Sequence, residues 1–202
     1  VNPYKKEVWD YLVEVGKKAG EVGFDEIQFD YIRFAVDRTM NDVVFDDGDT
    51  QGRNKTQAIT EFISYAYDEL AKEGLFVSAD VFGAIMRSEE DAAAVGQEYE
   101  DMAEHLDYIC PMIYPSHYGP GNFGIEYPDT QPYDTILNAL NGSRELLAAS
   151  AKDDTPQAVV RPWLQDFTAS YLEHYIRYGD EQVRQQIQAV YDAGYDQWIL
   201  WD

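Results

Sequence analysis

Residues 23–34, GFDEIQFDYIRF, decide the fold. Read with period two, Gln28 and Asp30 share one face, while Ile27 and Phe29 share the other. A glycine opens the stretch and a helical pattern precedes it, so it reads as a short strand fed by a helix. Asp30 closes that strand. In parallel (β/α) barrels the C-terminal strand ends carry the chemistry, which makes Asp30 the first candidate catalytic residue. The alternative is a cap, or an ion pair with Arg33.

The same unit recurs along the chain. Helical spacing of apolar residues predicts helices over 4–22, 55–73, 90–105, 133–150 and 180–193. Short apolar runs predict strands over 24–30, 75–81, 107–113, 158–164 and 196–201, as expected where helices cover a parallel sheet. Gly23, Gly74 and Gly194 stand where helices stop. Alternating units imply a parallel α/β sheet, either doubly wound or closed into a (β/α)8 TIM barrel. No GxGxxG follows the first strand, and the informative residues sit at strand ends throughout, which favours the barrel. A barrel needs eight strands and about five are visible. Residues 1–202 are therefore expected to form one domain, the C-terminal portion of a barrel whose first strands are missing, with helix 4–22 preceding the fourth strand. The start at Val1, with neither signal peptide nor initiator Met, reads as a fragment or processed product. Two open strand edges would make the isolated chain marginally stable.

Composition narrows the partners. The chain is 45% hydrophobic and 14% aromatic, as globular proteins are, and carries a net charge of −23. That charge argues against nucleic acid, whose phosphates demand clustered Lys and Arg. No apolar run is long enough to insert in a membrane. The single cysteine, Cys110, excludes an internal disulfide framework, and three histidines make a His-based metal site improbable. Neither a cofactor nor a metal is required. The acidic loop 35–54, with its DDGDTQG stretch, lacks the spacing and terminal Glu of a calcium loop. The second long loop, 114–132, is rich in Gly, Pro and aromatics, and both loops follow strands.

Further candidates lie at the other strand ends. In FVSADVFG, Ser78 and Asp80 share a face, and a carboxylate among apolar neighbours is either paired or functional. In DYICPMIYPSHYGPG, Met112 and Tyr114 share a face and His117 follows; Tyr114 could orient a carboxylate or bind substrate. In VVRPWLQDF, Arg161, Trp163 and Gln165 share a face, and Arg161 could neutralise Asp30 or Asp80. Asp166 is a third acid candidate, or a cap. Trp201, in the last strand, offers a flat apolar platform of the kind sugars stack on. Two carboxylates with aromatic platforms suit glycoside hydrolysis, in which one acid protonates the leaving oxygen and the other attacks or activates water. No GxSxG or Walker loop points elsewhere.

FDEIQFDYIRF, VSADVFG, YICPMIYPSHYGPGNFG, VRPWLQDF and GYDQWILWD together resemble a bacterial glycoside hydrolase family of the TIM-barrel glycosidase superfamily, long labelled a domain of unknown function. The resemblance runs nearly end to end. It implies a (β/α)8 fold, a carbohydrate substrate, and a secreted or cell-surface protein. It puts Asp30 at a strand-four position and Asp80 at a strand-five position, where related barrels keep catalytic carboxylates, although many of those use Glu as the acid. The strand-four Glu of chitinase-like barrels is missing here.

The resulting expectation is a glycosidase acting on a polysaccharide. Asp30 is nucleophile or base and Asp80 the general acid, with Arg161, Tyr114 and Gln165 in support. Trp163, Trp201 and Tyr118 are candidate sugar contacts, with His117 nearby. The alternative is a non-catalytic carbohydrate-binding barrel of the cell envelope.

Overall fold

The computed structural model describes residues 1–36, 42–152 and 155–202. Part of the acidic loop, residues 37–41, lies outside these. The order of elements is α1 (Lys6–Glu21), β1 (Glu26–Phe29), α2 (Asp47–Thr50), α3 (Lys55–Ala71), β2 (Phe76–Phe82), α4 (Glu89–Val95), α5 (Tyr99–Ala103), β3 (Tyr108–Met112), α6 (Pro132–Ser150), β4 (Val159–Val160), β5 (Trp163–Gln165), α7 (Asp180–Asp192) and β6 (Ile199–Trp201).

All strand pairs are parallel, in the order β1-β2-β3-β5-β6, with β4 also beside β3. This is part of a (β/α) barrel, with β1 and β6 as its end strands among the described residues. The pleat sorts the chemistry. Val77, Ala79 and Val81 of β2 are fully buried, in one cluster with Ile63, Ala66 and Leu70 of α3. Each of the Val, Ile and Leu side chains among them stabilises the fold by roughly 1.5–3 kcal/mol. The alternate residues, Ser78 and Asp80, are also buried but polar. Apolar residues thus pack toward the helices, and polar ones line the concave side.

Local chemistry explains most boundaries. Asn54 caps α3 by accepting from the Gln57 amide at 2.8 Å, and the Gln57 side chain accepts from the Asn54 amide at 2.9 Å. Gly23, Gly74 and Gly194 all adopt positive φ just past helix ends, as expected. The predicted helix 90–105 is two helices, because Gly96 at φ +77° ends α4 and leaves Gln97 and Glu98 outside both. A Cβ at Gly96 would also meet Lys55 and Phe34 at 3.0 Å. The predicted strand 158–164 is interrupted between β4 and β5 by Arg161-Pro162, where proline has no amide to donate. In the acidic loop, Asp46 accepts from the Asp49 amide at 2.8 Å and caps the single turn of α2. Among the described residues no group of three or more His, Cys, Asp or Glu could hold a metal ion. No helix among them is long and apolar enough to cross a membrane.

Candidate active site

Strand register builds the site. Phe29 pairs with Ala79, so the chain leaves β1 at Asp30 beside the rung that carries Asp80. Both carboxylates line a cavity of about 300 Å³ with Tyr31, Arg33, Phe82, Gln97, Met112, Tyr114, His117, Trp163 and Trp201. Such a volume is in the range of small-ligand sites.

Asp80 is the buried acid, only 5% exposed. Its Oδ1 accepts from Gln28 Nε2 at 2.6 Å and from Trp163 Nε1 at 2.7 Å. Its Oδ2 has no hydrogen-bond partner among the described residues. Burial raises the pKa of this carboxyl; the Trp163 and Gln28 bonds pull it back, and the charge of Asp30 pushes it further up. The net shift is upward. Asp30 is exposed, and one of its oxygens accepts from the Tyr31 amide at 2.7 Å. No bond joins it to Arg33 among the described residues. The Arg33 guanidinium instead donates to the Phe34 carbonyl at 3.2 Å and lies 4.7 Å from the Phe82 ring centre.

Aromatic walls complete the cavity. Trp163 and Trp201 meet edge to face, with ring centres 5.7 Å apart. Tyr114 packs edge to face on His117 at 5.0 Å and near Phe167 at 5.8 Å. Burial raises the Tyr114 phenol, with the Asp80 and Asp30 charges adding to it, so this side chain stays a neutral donor. Burial lowers the His117 imidazole and favours its neutral form.

Six of the expected residues thus share one cavity: Asp30, Asp80, Tyr114, His117, Trp163 and Trp201. Four others lie elsewhere. Arg161 does not neutralise Asp30 or Asp80 by direct contact. Both its Nη atoms donate to Glu26, lower on the concave side, and Ser78 Oγ donates to the same carboxylate at 2.6 Å. Burial raises Glu26, but the Arg161 and Ser78 bonds outweigh it and hold the carboxyl below its usual range. Gln165 is fully buried and is a framework residue: it accepts from the Ser116 amide and donates to Asp129, both at 3.0 Å. That tie fixes loop 114–132 on β5. The Asp166 amide donates to the Trp201 carbonyl at 2.8 Å, and its side chain does not line the cavity. Tyr118 packs its hydroxyl end against Gly83 rather than facing the acids. Cys110 is buried, and burial pushes its thiol up to about 12, too high for a nucleophile.

Sequence reading missed Tyr31, Arg33, Phe82 and Gln97 as lining residues. Gln97 is 1% exposed and donates to the carbonyls of Ile32 and Asp80 while accepting from the Phe82 amide. It clamps the ends of β1 and β2 together from a helix break, where no local pattern marks it. The left-handed backbone of Tyr31, at φ +54°, was equally silent in the sequence.

The architecture is shared with solved enzymes. The glycoside hydrolase domain of PgaB (BpsB) from Bordetella bronchiseptica matches over 100% of this chain and 59% of its own, with a TM-score of 0.61 and 10% identity. The spore cortex-lytic enzyme SleL from Bacillus megaterium matches over 99% of this chain and 51% of its own, with a TM-score of 0.59 and 14% identity. Bacillus cereus SleL matches over 95% and 49%, with a TM-score of 0.57 and 12% identity. This chain therefore spans between 49% and 59% of the length of these three. At such identities the likeness shows the fold. A comparison with curated proteins found no match. The family model named DUF4015 and described as "Putative glycosyl hydrolase domain" matches residues 1–202, and the chain belongs to that family.

Proposed function

We propose that this domain hydrolyses O-glycosidic bonds of a polysaccharide, with Asp80 as general acid and Asp30 as nucleophile or base. The observation that carries the proposal is the state of Asp80: buried, its pKa raised, with both protein donors on Oδ1 and none on Oδ2. A carboxylic acid with one free, protonated oxygen beside an open cavity can protonate the oxygen of a leaving sugar. As the C–O bond breaks, the Asp30 carboxylate either attacks the anomeric carbon or takes a proton from the attacking water. In the first case water, giving its proton to Asp80, then breaks the glycosyl–Asp30 bond and restores both groups; in the second, proton exchange with solvent resets both carboxyls. Trp163 and Trp201 supply flat apolar faces for sugar rings, and Tyr114 supplies a hydroxyl donor. The family description supports the reaction class.

We also place the action outside the cytoplasm, on a cell-envelope polysaccharide. The sequence resemblance supports this, as does the description of SleL as a spore cortex-lytic enzyme. Fractionation of the native host with an antibody to this domain tests it, and a purely cytosolic signal refutes it.

The catalytic reading is tested by reducing-end release across bacterial and plant polysaccharides. The parent protein is compared with Asp30→Asn and Asp80→Asn. Each substitution is expected to lower kcat by at least about 10²-fold without changing the circular-dichroism spectrum. Turnover indifferent to both substitutions would remove these residues from catalysis.

A further inference from the structure

The acid site is one end of a longer groove. A second cavity of about 330 Å³ is lined by Phe82, Gly83, Ala84, Met112, His117 and Tyr118. Three of these, Phe82, Met112 and His117, also line the cavity that holds Asp30 and Asp80. A third cavity of about 330 Å³ runs on over Ala84, His117 and Tyr118 to Arg87, Asp91 and Asn122. Shared lining residues make the three adjoining cavities a groove along the C-terminal ends of β2 and β3.

Its far end is built rather than incidental. The Arg87 guanidinium lies 4.7 Å from the Phe123 ring centre, and Phe123 packs edge to face on Tyr118 at 4.9 Å. Phe123 is held at φ +58°, a left-handed backbone conformation that a bulky residue adopts only when its surroundings enforce it. The Tyr118 hydroxyl is buried with no hydrogen-bond partner among the described residues. It is the ring of Tyr118, not this hydroxyl, that lines the groove. Tyr31, at the opposite end by the acids, repeats the left-handed aromatic at φ +54°.

We propose that this groove holds further sugar units of the same polysaccharide chain, with Arg87 and Tyr118, backed by Phe123, forming a remote subsite. The domain then acts within chains and reads several consecutive sugars, rather than trimming single units from an end. This deepens the glycosidase reading and rests on it for the cleavage step, though not for the binding.

The test uses cello-, manno-, galacto- and chito-oligosaccharides of two to six units. Ala84 is exposed and lines both remote cavities, so Ala84→Trp plugs the groove without touching the acids. In the parent protein, kcat/KM is expected to rise at least about tenfold from the shortest to the longest members of one series. Ala84→Trp and Arg87→Met are expected to abolish that rise. Calorimetric binding to the Asp80→Asn protein gives the same readout without hydrolysis, so a groove that binds by length survives even if no bond is cut. Length-independent affinity in the parent protein overturns the proposal, and so does an Ala84→Trp effect that is equal on short and long chains.

Discussion

Asp80 and Trp163 stand 83 residues apart in sequence and are joined by a 2.7 Å hydrogen bond from the indole Nε1 to the carboxyl Oδ1. One side chain thereby does two jobs. Its ring forms the aromatic wall of the cavity, and its N–H holds the acid so that Oδ2 faces the cavity without a protein partner.

Trp163→Phe should therefore move the pH profile. The indole bond favours the charged carboxylate, so its loss raises the pKa of Asp80 further. Activity that needs the protonated acid falls as pH rises through that pKa. The alkaline limb of kcat/KM is expected to shift to higher pH in the variant. An unshifted limb would mean that another group titrates there.

Asp80→Asn should change stability in a pH-dependent way. A buried acid with a raised folded pKa favours the fold fully below the ordinary aspartate value of 3.8, and that advantage is lost as pH rises through the folded value. Asparagine does not titrate and can still accept both hydrogen bonds at Oδ1. Urea melts at pH 3 and pH 7 should show the variant gaining on the parent protein as pH rises. Parallel curves would contradict the burial of this charge.

The Glu26–Arg161 pair should matter to folding rather than catalysis. The side chains are 26% and 18% exposed, so Arg161→Met leaves a half-buried carboxylate with Ser78 in place of a charged partner, at a cost of about 2 kcal/mol near neutral pH. Glu26 has a lowered folded pKa, so the pair's contribution is present above the usual carboxylate range and disappears as pH falls through the folded value. The gap between variant and parent should close in acid. A constant gap would assign the loss to packing alone.

Gly83→Ala should be harmful despite the small size of the change. A Cβ there would sit 2.7 Å from the Met112 carbonyl oxygen and against the Tyr118 hydroxyl. Backbone cannot yield as a flexible side chain can, so a loss of roughly 1–3 kcal/mol is expected in thermal or urea melts. A melt that matches the parent would show that β2 and β3 can separate more freely than their pairing suggests.

Trp201→Ala should separate binding from stability. The side chain is 54% exposed, so melts should agree with the parent within about 0.5 kcal/mol. KM on the best polysaccharide should rise about tenfold, equivalent to ~1.4 kcal/mol of binding. An unchanged KM would reduce this tryptophan to an exposed edge residue.

The sequence alone determined the fold class, because the signals for it are local. The alternation in EIQF and FVSADVF, the helical spacing between them and the glycines after each helix are all dictated by backbone geometry over a few residues. It also singled out Asp30 and Asp80, since strand parity and strand ends are legible one segment at a time. It could not assign partners to charges. Arg161 had acids on two strands within plausible reach, and only the register of β1, β2 and β3 gave it to Glu26. Gln165 looked like a substrate contact by parity, yet the fold buries it as the tie between loop 114–132 and β5. Gln97, the left-handed Tyr31 and Phe123, and the groove leading to Arg87 were likewise decided by tertiary structure. Each depends on which segments meet across dozens of residues. Contact geometry of that kind is set when the sheet closes up and the loops pack, and no single stretch of the chain encodes it.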